Sequence, residues 1–278
     1  LQASRRLMEE QELDALVIYG DTWSYADLCH ITGYFPKVRG GLGIIPRRGP
    51  LTLLLNIGSR DVPFASSLTW VEDVRASGTV GRDGAAVINN LGLERGKIGF
   101  VDSAKGFPLP QAEELKAGLQ NARWQDCSSS LLTLRLQKSK RELALMRHAG
   151  NILKAIGEQA RTIIKAGKKE YEIAAELDRL ARLQGVEDLR LLLGDRRPQP
   201  PTEKQIESGQ THLALYLAIQ YERYWVEIGR TIILAGSTEV AGIKDKAEST
   251  LKKMTEALRP GTSTADICAL AREELGES

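Results

Sequence analysis

The sequence is short of the side chains on which many catalytic devices are built. It has only three cysteines and three histidines in 278 residues. Cys29, Cys127 and Cys268 lie far apart and form no CxxC pair. That spacing excludes a thiolate metal cluster and a disulfide framework, and it suits reduced, buried thiols in a cytoplasmic protein. His30, His148 and His212 are equally dispersed, so a mechanism that needs several histidines is excluded. No run of about 18 apolar residues occurs, so no transmembrane helix is expected. No signal-peptide pattern opens the sequence. Leu1 stands where a methionine would begin translation, and we expect a chain trimmed at its start. Neither sign of charge dominates: 38 Lys and Arg face 36 Asp and Glu, a formal net charge of +2. That balance gives no electrostatic reason to expect nucleic acid or a membrane surface as a partner.

What remains is ordinary globular material, 42% hydrophobic and 27% charged, enough for a core in one or two domains. Residues 1–136 interleave strand and helix patterns. "SRRLMEEQELDALVIYG" reads as a helix followed by a strand. "GGLGIIP" and "LTLLLN" are short apolar runs separated by "RRGP", a hairpin signal. "VEDVRAS" and "KIGFVDS" read as further strands, and "GRDGAAVINNLGLERG" and "PQAEELKAGLQN" as helices between them. Such alternation predicts an α/β sandwich. Gly40, Gly41 and Gly43 lack the strand–glycine–helix context of a dinucleotide fingerprint. In "DLCHITGY", read as strand, Cys29 and His30 would point to opposite faces, which rejects a Cys/His nucleophile pair.

Residues 137–278 change pattern. Ser139 and Glu142 fit a capping box, and Met146, Ala149, Leu153, Ile156, Ala160 and Ile163 make one apolar stripe of a long helix. His148, among charged neighbours, reads as a surface residue. A second amphipathic helix ends at Gly185. "DLRLLLG", "HLALYLAIQY" and "RYWVEIGRTIIL" read as three strands, followed by helices from about Val240 to Leu258 and from Ala265 to Leu275. Ser263 and Asp266 again fit a cap. This order predicts an α+β domain with helices on an antiparallel sheet. One stretch is anomalous. In "QYERYWVEIGRTIIL", two strands about a polar turn, Glu227 interrupts an aromatic and apolar run three residues before Arg230.

Six segments together resemble one family. "CHITGYFPKVRGGLGIIPRRGPLTLL" resembles the N-terminal signature of the creatinase and Xaa-Pro peptidase superfamily. "LRLQKSKRELALMRHAGNI" is similar to its linker and first catalytic-domain helix, and "IKAGKKEYEIAAEL" to its second. "PPTEKQIESGQ", "YWVEIGRTI" and "ALRPGTSTADI" follow in the family's order. The resemblance implies a creatinase-like N-terminal domain over 1–136 and a pita-bread catalytic-type domain over 137–278, the latter incomplete at its C-terminus. In the family's peptidases, two aspartates on adjacent strands hold a pair of divalent metals, with a histidine and two glutamates from later in the chain. Glu227 matches the second aspartate, but the first, eleven residues earlier, is Tyr216. Gly194 to Thr211 contains no histidine. Asp195 as a displaced ligand is discounted, because "GDRRP" reads as a loop. We therefore expect no metal and no other cofactor.

The resemblance leaves an altered pocket around Tyr216 and Glu227. Tyr224, Trp225, Arg230, Arg196 and Arg197 are near in sequence. Arginine binds planar anions through paired donors, and the aromatics supply walls with one polar edge. We expect Glu227 to act as acid/base or orienter, and Arg230, Tyr216, Tyr224, Trp225, Arg196 and Arg197 to line a site for a small carboxylate-bearing or aromatic molecule. Equally, Arg230 pairs with Glu227 and the other arginines are solvated charges. Three functions stay open: a metal-independent enzyme of the superfamily, hydrolase-like or acting otherwise on a small molecule; a metal-dependent Xaa-Pro dipeptidase or aminopeptidase with ligands elsewhere; and a non-catalytic binding module. The resemblance also implies a homodimer, with Tyr34 and Phe35 of "TGYFPKVRGG" as anchors or, alternatively, folded back on their own domain.

Overall fold

A computed structural model describes residues 1–101, 106–195 and 197–276 of the chain. They form two compact units, Leu1–Lys138 and Ser139–Ser278.

In the first unit a mixed six-stranded sheet has the order β4-β3-β2-β1-β5-β6. The strands are β1 (Ala15–Gly20), β2 (Gly41–Pro46), β3 (Thr52–Leu55), β4 (Asp73–Ala76), β5 (Lys97–Val101) and β6 (Arg123–Asp126). β1–β2 and β2–β3 pair antiparallel, and the other neighbours pair parallel. Helices α1 (Gln2–Glu10), α2 (Ala26–Thr32), α3 (Val62–Ser67), α4 (Val80–Asn90), α5 (Leu109–Ala117) and α6 (Ser128–Leu136) cover it. Every residue of β1 is buried, which a sheet covered on both faces requires. Strand alternation divides the core. Val17 and Tyr19 join Ile88 and Leu115, whereas Leu16 and Ile18 join Met8, Leu28 and Leu131.

One local reading is corrected here. "DLCHITGY" is not a strand: Ala26–Thr32 is the helix α2, ended by Gly33 at φ 72. Its buried residues Leu28, Ile31 and Thr32 recur at helical spacing, and the Thr32 hydroxyl donates to the Leu28 carbonyl 2.7 Å away. The seven-residue segment is too short for its three-to-four periodicity to be distinguished from alternation.

The second unit starts with α7 (Lys140–Ile163) and α8 (Glu170–Leu183). Ser139 caps α7 as a complete box: the Glu142 amide donates to its Oγ, and its own amide donates to Glu142. The three strands β7 (Asp188–Gly194), β8 (His212–Tyr221) and β9 (Tyr224–Ile233) form an antiparallel sheet in sequence order. α9 (Thr238–Ala257) and α10 (Thr264–Leu275) follow, each N-capped by a serine hydroxyl, Ser237 and Ser263. α7 and α8 lie on one face of the sheet. There Ile152, Leu153, Ile156, Ile173 and Leu177 meet Leu191, Leu193, Leu213, Leu215, Leu217 and Ile219. Burying each such side chain contributes about 1.5–3 kcal/mol. Gly157 lets α7 approach closely; a Cβ there would lie 2.8 Å from Cδ1 of Ile228.

The β8–β9 hairpin turns on two residues, Glu222 (φ 47) and Arg223 (φ 69), both left-handed and neither glycine. Such a turn matches the strand twist, but side chains there are strained. Glu187 holds it in place. Its carboxylate accepts the Arg223 amide at 2.9 Å and the Arg223 guanidinium at 2.9 Å.

Candidate functional site

The residues on the other face of this sheet follow from its register. Tyr216 lies opposite Gly229, Ala218 opposite Glu227, and Gln220 opposite Trp225. On the far side of β8, Leu192 faces Tyr216 and Arg190 faces Ala218. Because alternate residues share a face, Arg190, Leu192, Tyr216, Ala218, Trp225, Glu227 and Gly229 all lie on the side away from α7 and α8. The even-numbered positions of β8 sit there because its odd leucines make the helix-side core.

Two side-chain pairs stand on this face. The Tyr216 hydroxyl donates to Oε2 of Glu227 at 2.5 Å, a diagonal contact between strands. That bond raises the Tyr216 phenol above its ordinary value, since the carboxylate favours the protonated hydroxyl; partial burial adds to the shift and the nearby Arg190 charge opposes it. In the second pair, the Arg190 guanidinium lies over the Trp225 ring, 4.7 Å from its centroid. Exposed contacts of this kind contribute about 0.5–1 kcal/mol.

Tyr216, Glu227 and Trp225 are thus on one face, and the remaining expected site residues are elsewhere. Arg230 lies opposite Leu215, so it belongs to the helix side of β9. It borders a cleft of about 370 Å³ beside α9 that Tyr216, Gly229, Lys244 and Glu248 also line. Lys244 donates to Glu248 and, as the largest cause, lowers that carboxyl, with lesser help from the Arg230 charge. The pairing of Arg230 with Glu227 is not made: three residues along a strand put them on opposite faces. Tyr224 is on the helix side too, where its hydroxyl donates to Oε1 of Glu142 at 2.9 Å. Arg197 is exposed at a different cleft of about 380 Å³, with Asp195, Glu170 and Lys204. Arg196 lies outside the described residues. His148 is exposed and packs edge-on against Tyr221, with centroids 4.9 Å apart. His212 pairs with Ile233 and bonds to Thr211; six residues from Ala218, it is about 20 Å along the strand.

Arg190 is the residue that sequence reasoning missed. The signal was present: a lone cation among the leucines of "DLRLLLG" is the same anomaly as Glu227 among the apolar residues of β9.

The residues on this face do not fit a pair of divalent ions. They offer two carboxylates on the two outer strands, Glu227 on β9 and Asp188 on β7, a phenol that donates to the first, and the Arg190 cation nearby. Dinuclear sites need several anionic or neutral donors converging on each ion. Among the described residues there is no cluster of three or more His, Cys, Asp and Glu that could hold a metal.

Comparison with known proteins agrees with this architecture. Residues 1–137 match the Creatinase/Prolidase N-terminal domain, and residues 144–278 match Metallopeptidase family M24. A Xaa-Pro dipeptidase of Pyrococcus horikoshii is 27% identical over 200 residues, covering 68% of this chain and 53% of that protein. The chain therefore spans about half the length of that relative. An uncharacterised hydrolase/peptidase of Sinorhizobium fredii is 28% identical over 96% of this chain and 73% of its own length. Among solved structures, the prolidase of P. horikoshii superposes with a TM-score of 0.80 at 23% identity, covering 99% of this chain and 76% of that one. The X-Pro aminopeptidase of Thermotoga maritima gives a TM-score of 0.83 at 19% identity, with the same coverages. No described helix is long and apolar enough to cross a membrane. With an N-terminal creatinase-type unit followed by an M24 pita-bread unit, the chain belongs to the creatinase/prolidase superfamily.

Proposed function

We propose that this superfamily member uses the Tyr216–Glu227 face of its second unit, without a metal, to bind and act on a small carboxylate-bearing or aromatic molecule. The observation that carries this reading is the 2.5 Å bond from the Tyr216 hydroxyl to Glu227. It joins the two positions at which the resemblance puts metal-binding aspartates, and it commits one carboxylate oxygen to a neutral donor. Glu227 then serves as acid/base or orienter, keeping its second oxygen for the ligand, and Trp225 supplies an apolar wall.

A metal-dependent Xaa-Pro dipeptidase is the second reading. It is favoured by the names of the P. horikoshii and Pyrococcus furiosus relatives, both Xaa-Pro dipeptidases. Elemental analysis after purification in manganese-, cobalt- or zinc-containing buffer separates the two. We expect no stoichiometric metal. About two ions per chain, as dinuclear sites hold, together with metal-dependent cleavage of a Xaa-Pro dipeptide, would establish the second reading and remove the first.

A further inference from the structure

The cleft of about 380 Å³ in the second unit belongs to the helix side of the sheet, since the core residues Leu193, Ile206 and Leu213 form its floor. Residues 199–206 make one wall, and backbone bonds pin that wall at both ends. Gln199 exchanges two bonds with Leu193, at 2.7 and 2.8 Å. The amides of Glu170 and Tyr171 donate to the Lys204 and Thr202 carbonyls at 2.9 and 3.1 Å. The cavity is therefore in place before any ligand arrives, which lowers the ordering cost of binding. Four charged residues among those described line it: Glu170, Asp195, Arg197 and Lys204. The last three are exposed, where water and salt screen them. Glu170 is 8% exposed, and among the described residues no cation pairs with it. Its Oε2 accepts the amide and the hydroxyl of Thr202, each at 2.8 Å, while its Oε1 accepts nothing among the described residues. That oxygen is not sealed in the protein, so it is left to the cavity that Glu170 lines. A buried charge is costly unless it is paired and hydrogen-bonded, and half of this carboxylate has neither partner.

We propose that this cavity is a site for a small primary ammonium ion, an amine on a short alkyl chain, held by Oε1 of Glu170 with its chain on Leu193, Ile206 and Leu213. Charge decides the class. The one charge withdrawn from water here is negative, so an anionic end is repelled from the floor and a cation gains an attraction that the low local dielectric strengthens. Shape decides between cations. A guanidinium forks onto both oxygens of a carboxylate, and Thr202 already occupies Oε2. An ammonium is a compact head with three donors, of which Oε1 needs one. The alkyl chain covers the apolar floor, and that burial is the second contribution to binding. A neutral alcohol could donate to the same oxygen but would leave its charge unpaired. The site stands apart from the Tyr216–Glu227 face, which lies on the other side of the sheet. Its occupant would tie Glu170 more firmly to the 199–206 wall, because a ligand of the native state stabilises the contacts that bind it.

The test is an amide NMR titration of the 278-residue chain with butylammonium, using 1-butanol and butanoate as the neutral and anionic controls. We expect butylammonium to bind in the millimolar range, about tenfold tighter than either control. It should shift the amides of residues 168–171 and 199–206 and slow their hydrogen exchange. Glu170→Gln keeps an oxygen for Thr202 and removes the charge. It should weaken butylammonium about tenfold and leave 1-butanol unchanged. Lys204→Ala removes an exposed cation from the rim and should bind butylammonium at least as well as the unaltered chain. Three results in the unaltered chain overturn the proposal without any variant: no binding of butylammonium, a control that binds as tightly, or shifts that fall outside those two segments. Binding that is indifferent to Glu170→Gln, in a variant with the unaltered thermal midpoint, overturns it as well. So does loss of binding in a folded Lys204→Ala variant, which would show that the site does not read positive charge through Glu170.

Discussion

Arg230 and Glu227 are three residues apart on β9 and lie on opposite sides of the sheet, Arg230 opposite Leu215 and Glu227 opposite Ala218. Their separation explains why the two charges need different tests. Arg230→Ala is expected to leave ligand binding at the Glu227 face unchanged. It should cost stability by at most about 1 kcal/mol, the range of partly exposed charge contacts, through its interaction with Glu248. Parallel ligand titration and denaturant unfolding of the variant check both halves. A binding defect with intact stability would place Arg230 in the site.

Tyr216 is expected to titrate above an ordinary tyrosine, because Glu227 accepts its hydroxyl proton. The sign follows directly. A raised folded-state value means that the bond stabilises fully below the unfolded tyrosine range, near 10, and that this contribution is lost as pH rises through the folded value. Spectrophotometric or NMR titration should show the Tyr216 transition move down in Glu227→Gln. An unmoved transition would show that the bond is not formed in solution.

The β8–β9 turn holds two non-glycine residues in left-handed conformations. Such positions cost about 1–2 kcal/mol each. Glu222→Asn should therefore stabilise the chain by about 0.5–1 kcal/mol, since asparagine tolerates this region. Arg223→Gly should be close to neutral. It relieves strain but loses the guanidinium bond to Glu187, while the backbone bond to the same carboxylate survives. Denaturant midpoints of the two variants decide it, and equal gains from both would mean that Glu187 contributes little.

Glu170 is buried at the start of α8, and its Oε2 accepts both the amide and the hydroxyl of Thr202 at 2.8 Å. Glu170→Ala strands those donors and should cost about 1–3 kcal/mol. Amide exchange should quicken selectively over residues 199–206. Uniform exchange changes across the chain would point to global destabilisation instead.

A homodimer is expected in solution, through the first unit. Tyr34 and Phe35 are half-buried within that unit: Phe35 stacks edge-on to Tyr25 with centroids 4.5 Å apart, and Tyr34 packs on the core with its phenol raised by burial. Trp23, 85% exposed, and Phe64, 71% exposed, are the anchors we expect of such an interface instead. Light scattering at micromolar concentration should give twice the chain mass, and Trp23→Ser with Phe64→Ser should reduce it. A mass of one chain for the unaltered protein rejects the dimer.

The sequence by itself determined the elements whose signals are local. The Ser139–Glu142 box, the apolar stripe of α7 and the alternating leucines of β8 need only neighbours a few residues away, and hydrophobic periodicity reports them directly. It also singled out Glu227 and Tyr216, at the two positions where the resemblance puts metal-binding aspartates, because their spacing survives in the linear order. It did not decide α2, whose seven residues are too few to show a period, nor the partners of each charge. Arg230 and Glu227 look adjacent in the chain, yet a strand turns them apart; Arg190 is 37 residues from Glu227 by number and stands in the same row. That row depends on the register of three strands, which is set by the long-range packing of Leu191, Leu215 and Leu217 against α7 and α8. A shift of one residue would move each side chain to the opposite face, and only the tertiary structure fixes that choice.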